Sequence, residues 1–144
     1  MILKILFFVL ILLIVLMIIK KYRKNTEKKE HEKYASVIKK AMQQVELDLK
    51  DNHFQIIKEN YIGDVWGRDI ELYNFLIKVK KGNDLRDKIE QSLNGYCKKQ
   101  KLINKYGIMI KISDFWFKDN NLELDLVLLV NDKTKEYLDD IHRI

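Results

Sequence analysis

The chain has 144 residues, a formal charge of +6, no proline, five glycines and one cysteine. A lone cysteine excludes an intramolecular disulfide framework, scarce glycine and absent proline exclude a flexible Pro/Gly linker, and the length allows one full core rather than two. The charge alone would suit a nucleic-acid binder, but its placement does not: residues 20–40 hold nine basic and three acidic side chains, and residues 41–144 hold 17 basic and 18 acidic.

From Met1 to Ile19 only Lys4 is charged. A helix of that length rises about 28 Å, close to the hydrocarbon thickness of a bilayer. Residues 5–19 show no polar face, which a core helix of a soluble domain would need. Residues 1–19 are therefore predicted to be a transmembrane anchor, with Lys4 snorkelling to the headgroups. A cleaved signal peptide fits less well, because "MILK" is a short n-region and "MIIKKYRKN" holds no small-x-small cleavage site. A lipobox is excluded, since the only cysteine is Cys97.

Residues 20–33 read as a basic juxtamembrane connector carrying Lys20, Lys21, Arg23, Lys24, Lys28 and Lys29. Its expected partner is the bilayer itself, since anionic headgroups attract each nearby Lys or Arg by about 1 kcal/mol. By the positive-inside rule, this asymmetry places everything after the anchor on the cytoplasmic face of the cell membrane.

Residues 34–144 are expected to form one α+β domain. Tyr34, Ile38, Met42, Val45 and Leu49 recur at helical spacing, predicting an amphipathic helix over Thr26–Leu49. Two antiparallel strands follow, over 54–66 and 70–80, with "WGRD" as the turn. Tyr73, Phe75, Ile77 and Val79 lie on one face, and Ile70, Leu72 and Leu76 on the other. Asn83 or Asp84 can cap a second helix with Leu85, Ile89, Leu93, Tyr96 or Cys97, and Ile103 along one side, ended by Gly107. A second hairpin has Ile108, Ile110 and Ile112, a "KDNN" turn, and an alternating face of Leu122, Leu124, Leu126, Leu128 and Val130. A last helix spans Asp132–His142. The predicted order after the anchor is α-β-β-α-β-β-α, giving a four-stranded antiparallel sheet with helices on one face.

An internal repeat accompanies that order. "IGDVWGRDIEL", residues 62–72, aligns with "ISDFWFKDNNL", residues 112–122, pairing Asp64 with Asp114, Trp66 with Trp116, Arg68 with Lys118 and Asp69 with Asp119. A duplicated αββ unit would explain it, and so would two hairpins meeting the same geometric need. The element order resembles the αββαββ modules called BON domains, found in bacterial envelope proteins that bind membranes or self-associate; the likeness is architectural and carries no residues over.

Catalytic motifs are missing from the sequence. His31, His53 and His142 are scattered, Asp139 one turn before His142 supplies only a second ligand, and Cys97 falls on an apolar stripe, as a buried structural thiol does. No phosphate-binding glycine loop or nucleophile elbow is present. No catalytic residue, cofactor or metal site is therefore assigned, and no nucleic-acid signature appears. The most specific feature is the matched pair of sets Asp64/Trp66/Asp69 and Asp114/Trp116/Asp119. They serve hairpin architecture, with tryptophan on the sheet and aspartate on turn amides, or they form paired parts of an interaction surface. The sequence thus leads to the expectation of a bacterial-type, single-pass protein whose domain binds a membrane-associated protein or itself at the cytoplasmic face. An extracytoplasmic envelope module and an enzyme with an unrecognised site are the rival readings.

Overall fold

The computed structural model describes residues 2–67 and 69–143, with side chains from Lys4 onward. It is an α+β structure with a long N-terminal apolar helix and a four-stranded antiparallel sheet. The chain divides into two compact units, Met1–Lys33 and Tyr34–Ile144.

Helix α1 spans Ile2–Asp48. The separate helix start expected near Thr26 is not there: no proline or glycine interrupts residues 2–48, and the Thr26 hydroxyl donates back to the Tyr22 carbonyl at 3.1 Å instead of capping a new helix. Within the first unit, every side chain from Ile5 to Ile19 is exposed.

In the second unit the sheet order is β1 (Gln55–Tyr61), β2 (Leu72–Lys78), β6 (Asn121–Leu128) and β5 (Ile110–Lys118), all antiparallel. Tyr73, Phe75 and Ile77 of β2 share a face with Leu122, Leu124 and Leu126 of β6. On that face pack Ile38, Met42 and Val45 of α1 and Leu85, Ile89, Leu93 and Cys97 of α3 (Leu85–Lys99), making the main core.

The helices are not all on one face, as the sequence suggested. Helix α4 (Asp132–Ile141) covers part of the opposite face, where Leu138 packs with Ile70, Leu72, Val127 and Leu129 in a smaller core. The physical reason is that β2 and β6 carry apolar residues at both parities at one end. Leu72 pairs with Val127, so that end needs covering from both sides.

Three further elements differ from expectation. The first strand stops at Tyr61 rather than running to residue 66, because a single helical turn, α2 (Gly63–Trp66), follows. The Ile62 N–H still bonds the Leu72 carbonyl at 3.0 Å, and Gly67 N–H then closes on the Gly63 carbonyl at 3.1 Å. Helix α3 ends at Lys99 and does not reach Ile103. Lys101 takes φ 57°, and Leu102 N–H bonds the Cys97 carbonyl at 2.8 Å, a helix stop of the kind glycine usually makes. Ile103 instead opens a small ribbon, β3 (Ile103–Asn104) with β4 (Gly107–Ile108).

Candidate functional site

The basic residues Lys20, Lys21, Arg23, Lys24, Lys28 and Lys29 all lie on α1 and are exposed. Lys28 forms an i,i+4 pair with Glu32 at 3.8 Å, a weak surface contact. The rest extend the charge along about two and a half helical turns.

The two tryptophan sets occupy different local structures. Asp64 and Trp66 sit in the helical turn α2, whereas Asp114 and Trp116 lie in strand β5. Asp69 and Asp119 do share a left-handed backbone, at φ 69° and 48°. Asp119 and Asn120 form the two-residue turn between β5 and β6, while Asp69 serves α4: its carboxylate pairs with Lys133 at 2.9 Å, and its carbonyl accepts from Asn131 at 2.7 Å. The pairing of Arg68 with Lys118 falls outside the described residues.

The sheet face opposite α1 and α3 does bring part of the two sets together. Strand register places Asp114, Asp125, Asn74 and Asn60 in one row across it, and Trp116, Glu123, Leu76 and Lys58 in the next. A third row holds Lys118, Asn121, Lys78 and Gln55. Trp66 borders the same face from the α4 side, its ring 5.5 Å from that of Tyr137. Trp116 is 38% exposed and Trp66 60%. Asp119 lies at the hairpin tip beyond the third row, and Asp64 and Asp69 lie in the loop leading to β2.

Electrostatics on this face are uneven. Asn74 donates to Asp125 at 2.7 Å and to Glu123 at 3.0 Å, tying the two carboxylates together. Burial pushes the Asp125 carboxyl up to about 6, with the nearby Asp114 and Glu123 charges adding to the rise against the Asn74 hydrogen bond. Burial also pushes the Tyr137 hydroxyl up to about 12, again with help from Asp125 and Asp114. Asn74, Glu123 and Asp125 were missed at the sequence level. Their signal was parity: they occupy strand positions out of phase with the leucine face.

Elsewhere the chemistry is structural. Cys97 is fully buried and burial pushes its thiol up, as a core cysteine requires. The Tyr73 hydroxyl donates to the buried Glu71 carboxylate at 2.7 Å. An open groove of about 800 Å³ between α1 and α3 is lined by Gln44, Asp48, Ser92 and Tyr96, and Asp48 already accepts from Gln44 at 2.7 Å and Ser92 at 2.6 Å. Among the described residues no group of three or more His, Cys, Asp or Glu side chains is placed to hold a metal. No protein-family model, curated protein or solved structure matches this chain significantly.

Proposed function

We propose that the protein is a single-pass membrane protein whose 34–144 domain is an interaction module held at the cytoplasmic membrane face. The observation that carries this reading is the helical run Ile5–Ile19, fifteen apolar residues each 43–70% exposed with no protein surface over them. Burying such side chains is worth roughly 20–45 kcal/mol in all at 1.5–3 kcal/mol each, several times a domain's net stability, so a lipid solvent is the natural complement. The exposed lysines and arginine that follow suit anionic headgroups, and their excess over the single Lys4 favours the cytoplasmic side. An interaction role, rather than catalysis, is supported by the open sheet face with its exposed Trp116 and charged rows.

The test is fractionation followed by topology mapping. The chain should stay with membranes through alkaline carbonate. With Cys97→Ala and Asn25→Cys, a membrane-impermeant thiol reagent should label the protein only after cell lysis. Labelling of intact cells would move the domain outside and make the envelope reading the one to pursue.

A further inference from the structure

The open sheet face is charged in opposite senses at its two ends. Asp114 and Asp125 lie in the row nearest α4, Lys118 and Lys78 lie two rows away towards the β5–β6 turn, and Trp116 with Leu76 sits between them. Same-face residues along a strand are about 7 Å apart, so the two charged rows are separated by roughly 14 Å. None of Lys58, Lys78 and Lys118 takes part in an ion pair among the described residues, although Lys39, Lys88, Lys105, Lys133 and Lys135 all do. The Asp125 carboxylate, 8% exposed, has an amide partner but no cation there.

We propose that this face is a homodimer interface, on which a second copy of the chain seats its own identical face about a two-fold axis running along the Trp116–Leu76 row. This rests on the reading of the protein as a membrane-anchored interaction module and names its partner. A rotation about that axis keeps each strand over its counterpart and exchanges the two outer rows. Asp114 then meets Lys118 of the second copy, and the second copy's Lys78 lands on Asn74 between Glu123 and Asp125. Trp116 and Leu76 meet their own copies at the centre, where large aromatic anchors contribute most. Glu123 and Lys58 of the same row also meet theirs, two like-charge contacts set against the two Asp114–Lys118 pairs and the two Lys78 approaches of the outer rows. An axis running along the strands through the middle of the face would instead set Asp114 on Asn60 and Asp125 on Asn74 of the second copy and Lys118 on its Gln55, forming no Asp–Lys pair, so ion pairing across the interface favours the first orientation.

Edge pairing between copies is a poorer alternative. Both edge strands are interrupted by a register shift, at Ile56/Lys58 in β1 and at Ile112/Asp114 in β5, and bulged edges resist strand addition. The open face covers roughly 400 Å² by strand spacing, about half the area each partner buries in a standard interface. Two copies free in solution would pair weakly. Two copies anchored in one bilayer meet at a high effective concentration and pair without further contacts.

The test uses the full chain in its native membranes with Cys97→Ala. A cysteine placed by Glu123→Cys lies close to the axis and should form an intermolecular disulfide on mild oxidation; one placed by Gln91→Cys on the exposed side of α3 should not. Asp114→Lys or Lys118→Asp alone should lower the cross-linked fraction at least about five-fold, and the two together should restore it, with circular dichroism confirming that every variant is folded. Equal cross-linking at positions 91 and 123 would mean random collision and would overturn the interface. Cross-linking at 123 that ignores the charge reversals would overturn the proposed pairing, and so would a membrane-bound chain that stays monomeric. A chain recovered in the soluble fraction would instead remove the anchored reading on which the interface rests.

Discussion

The Thr134 hydroxyl of α4 accepts the backbone N–H of Glu71, 63 residues earlier, across 3.2 Å in a fully buried setting. Asn131 works beside it, accepting the Thr134 N–H at 2.8 Å as the helix cap while donating to the Asp69 carbonyl. The first turn of α4 is thereby bonded to the chain entering β2.

Replacing Thr134 by valine keeps the volume but strands a buried N–H. A loss of about 1–3 kcal/mol is expected in urea unfolding. Thr134→Ser, which keeps the acceptor, should cost clearly less. Equal losses for the two variants would assign the effect to packing.

Gly63 is required by closeness of approach. A Cβ built there would lie 1.8 Å from the Ile70 carbonyl oxygen, which also accepts the Tyr61 hydroxyl at 3.0 Å. Gly63→Ala must push the loop off β2 and should destabilise the domain by about 2–4 kcal/mol. A thermal melt unchanged from wild type would contradict that geometry.

Lys101 occupies a left-handed position that costs a non-glycine residue about 1 kcal/mol. Lys101→Gly should stabilise by about 0.5 kcal/mol, since glycine's greater freedom in the unfolded chain offsets part of the gain. Lys101→Val, with a branched Cβ, should move stability the other way.

Asp125 gives the domain a pH dependence of definite sign. Its carboxyl is raised from an ordinary 3.8 to about 6 in the folded chain, so the folded state holds the proton more tightly than the unfolded state. This group's contribution is complete below pH 4, declines as pH rises through 6 and is lost above it. Asp125→Asn should therefore stabilise by about 2 kcal/mol at pH 8 and by little at pH 4. A stabilisation independent of pH would show that the carboxylate is not the cause.

The long periodic elements were legible in the sequence because one physical signal dominated each. Leu122, Leu124, Leu126 and Leu128 alternate cleanly and all face the main core; Leu85, Ile89 and Leu93 mark α3 by the same logic at helical spacing. What failed was punctuation. Gly107 looked like the end of α3, but a lysine at 101 makes the stop, and the bonds that fix it leave no compositional trace. The matched tryptophans pointed to two equivalent hairpins, yet Gly63 lets the first connection coil into a helical turn while Asp119 and Asn120 close the second in two residues. The open face was half visible: Leu76 was placed opposite the main core and Asp114 and Trp116 were singled out, but the strand order that sets β2 beside β6, and Asn74 beside Asp125, is not written in local pattern.

The unequal coverage of the two sheet faces has a dynamic consequence. Twenty of the described residues are buried in the core beneath α1 and α3, and five in the core beneath α4. Local opening should therefore begin at α4, whose amides will exchange with solvent through a partial unfolding that leaves the α1–α3 layer and the sheet intact. Sheet amides such as that of Leu128, which donates to the Glu71 carbonyl at 2.9 Å, keep their ladder partners in that open form, so hydrogen exchange should divide the domain into a labile C-terminal cap and a slowly exchanging body.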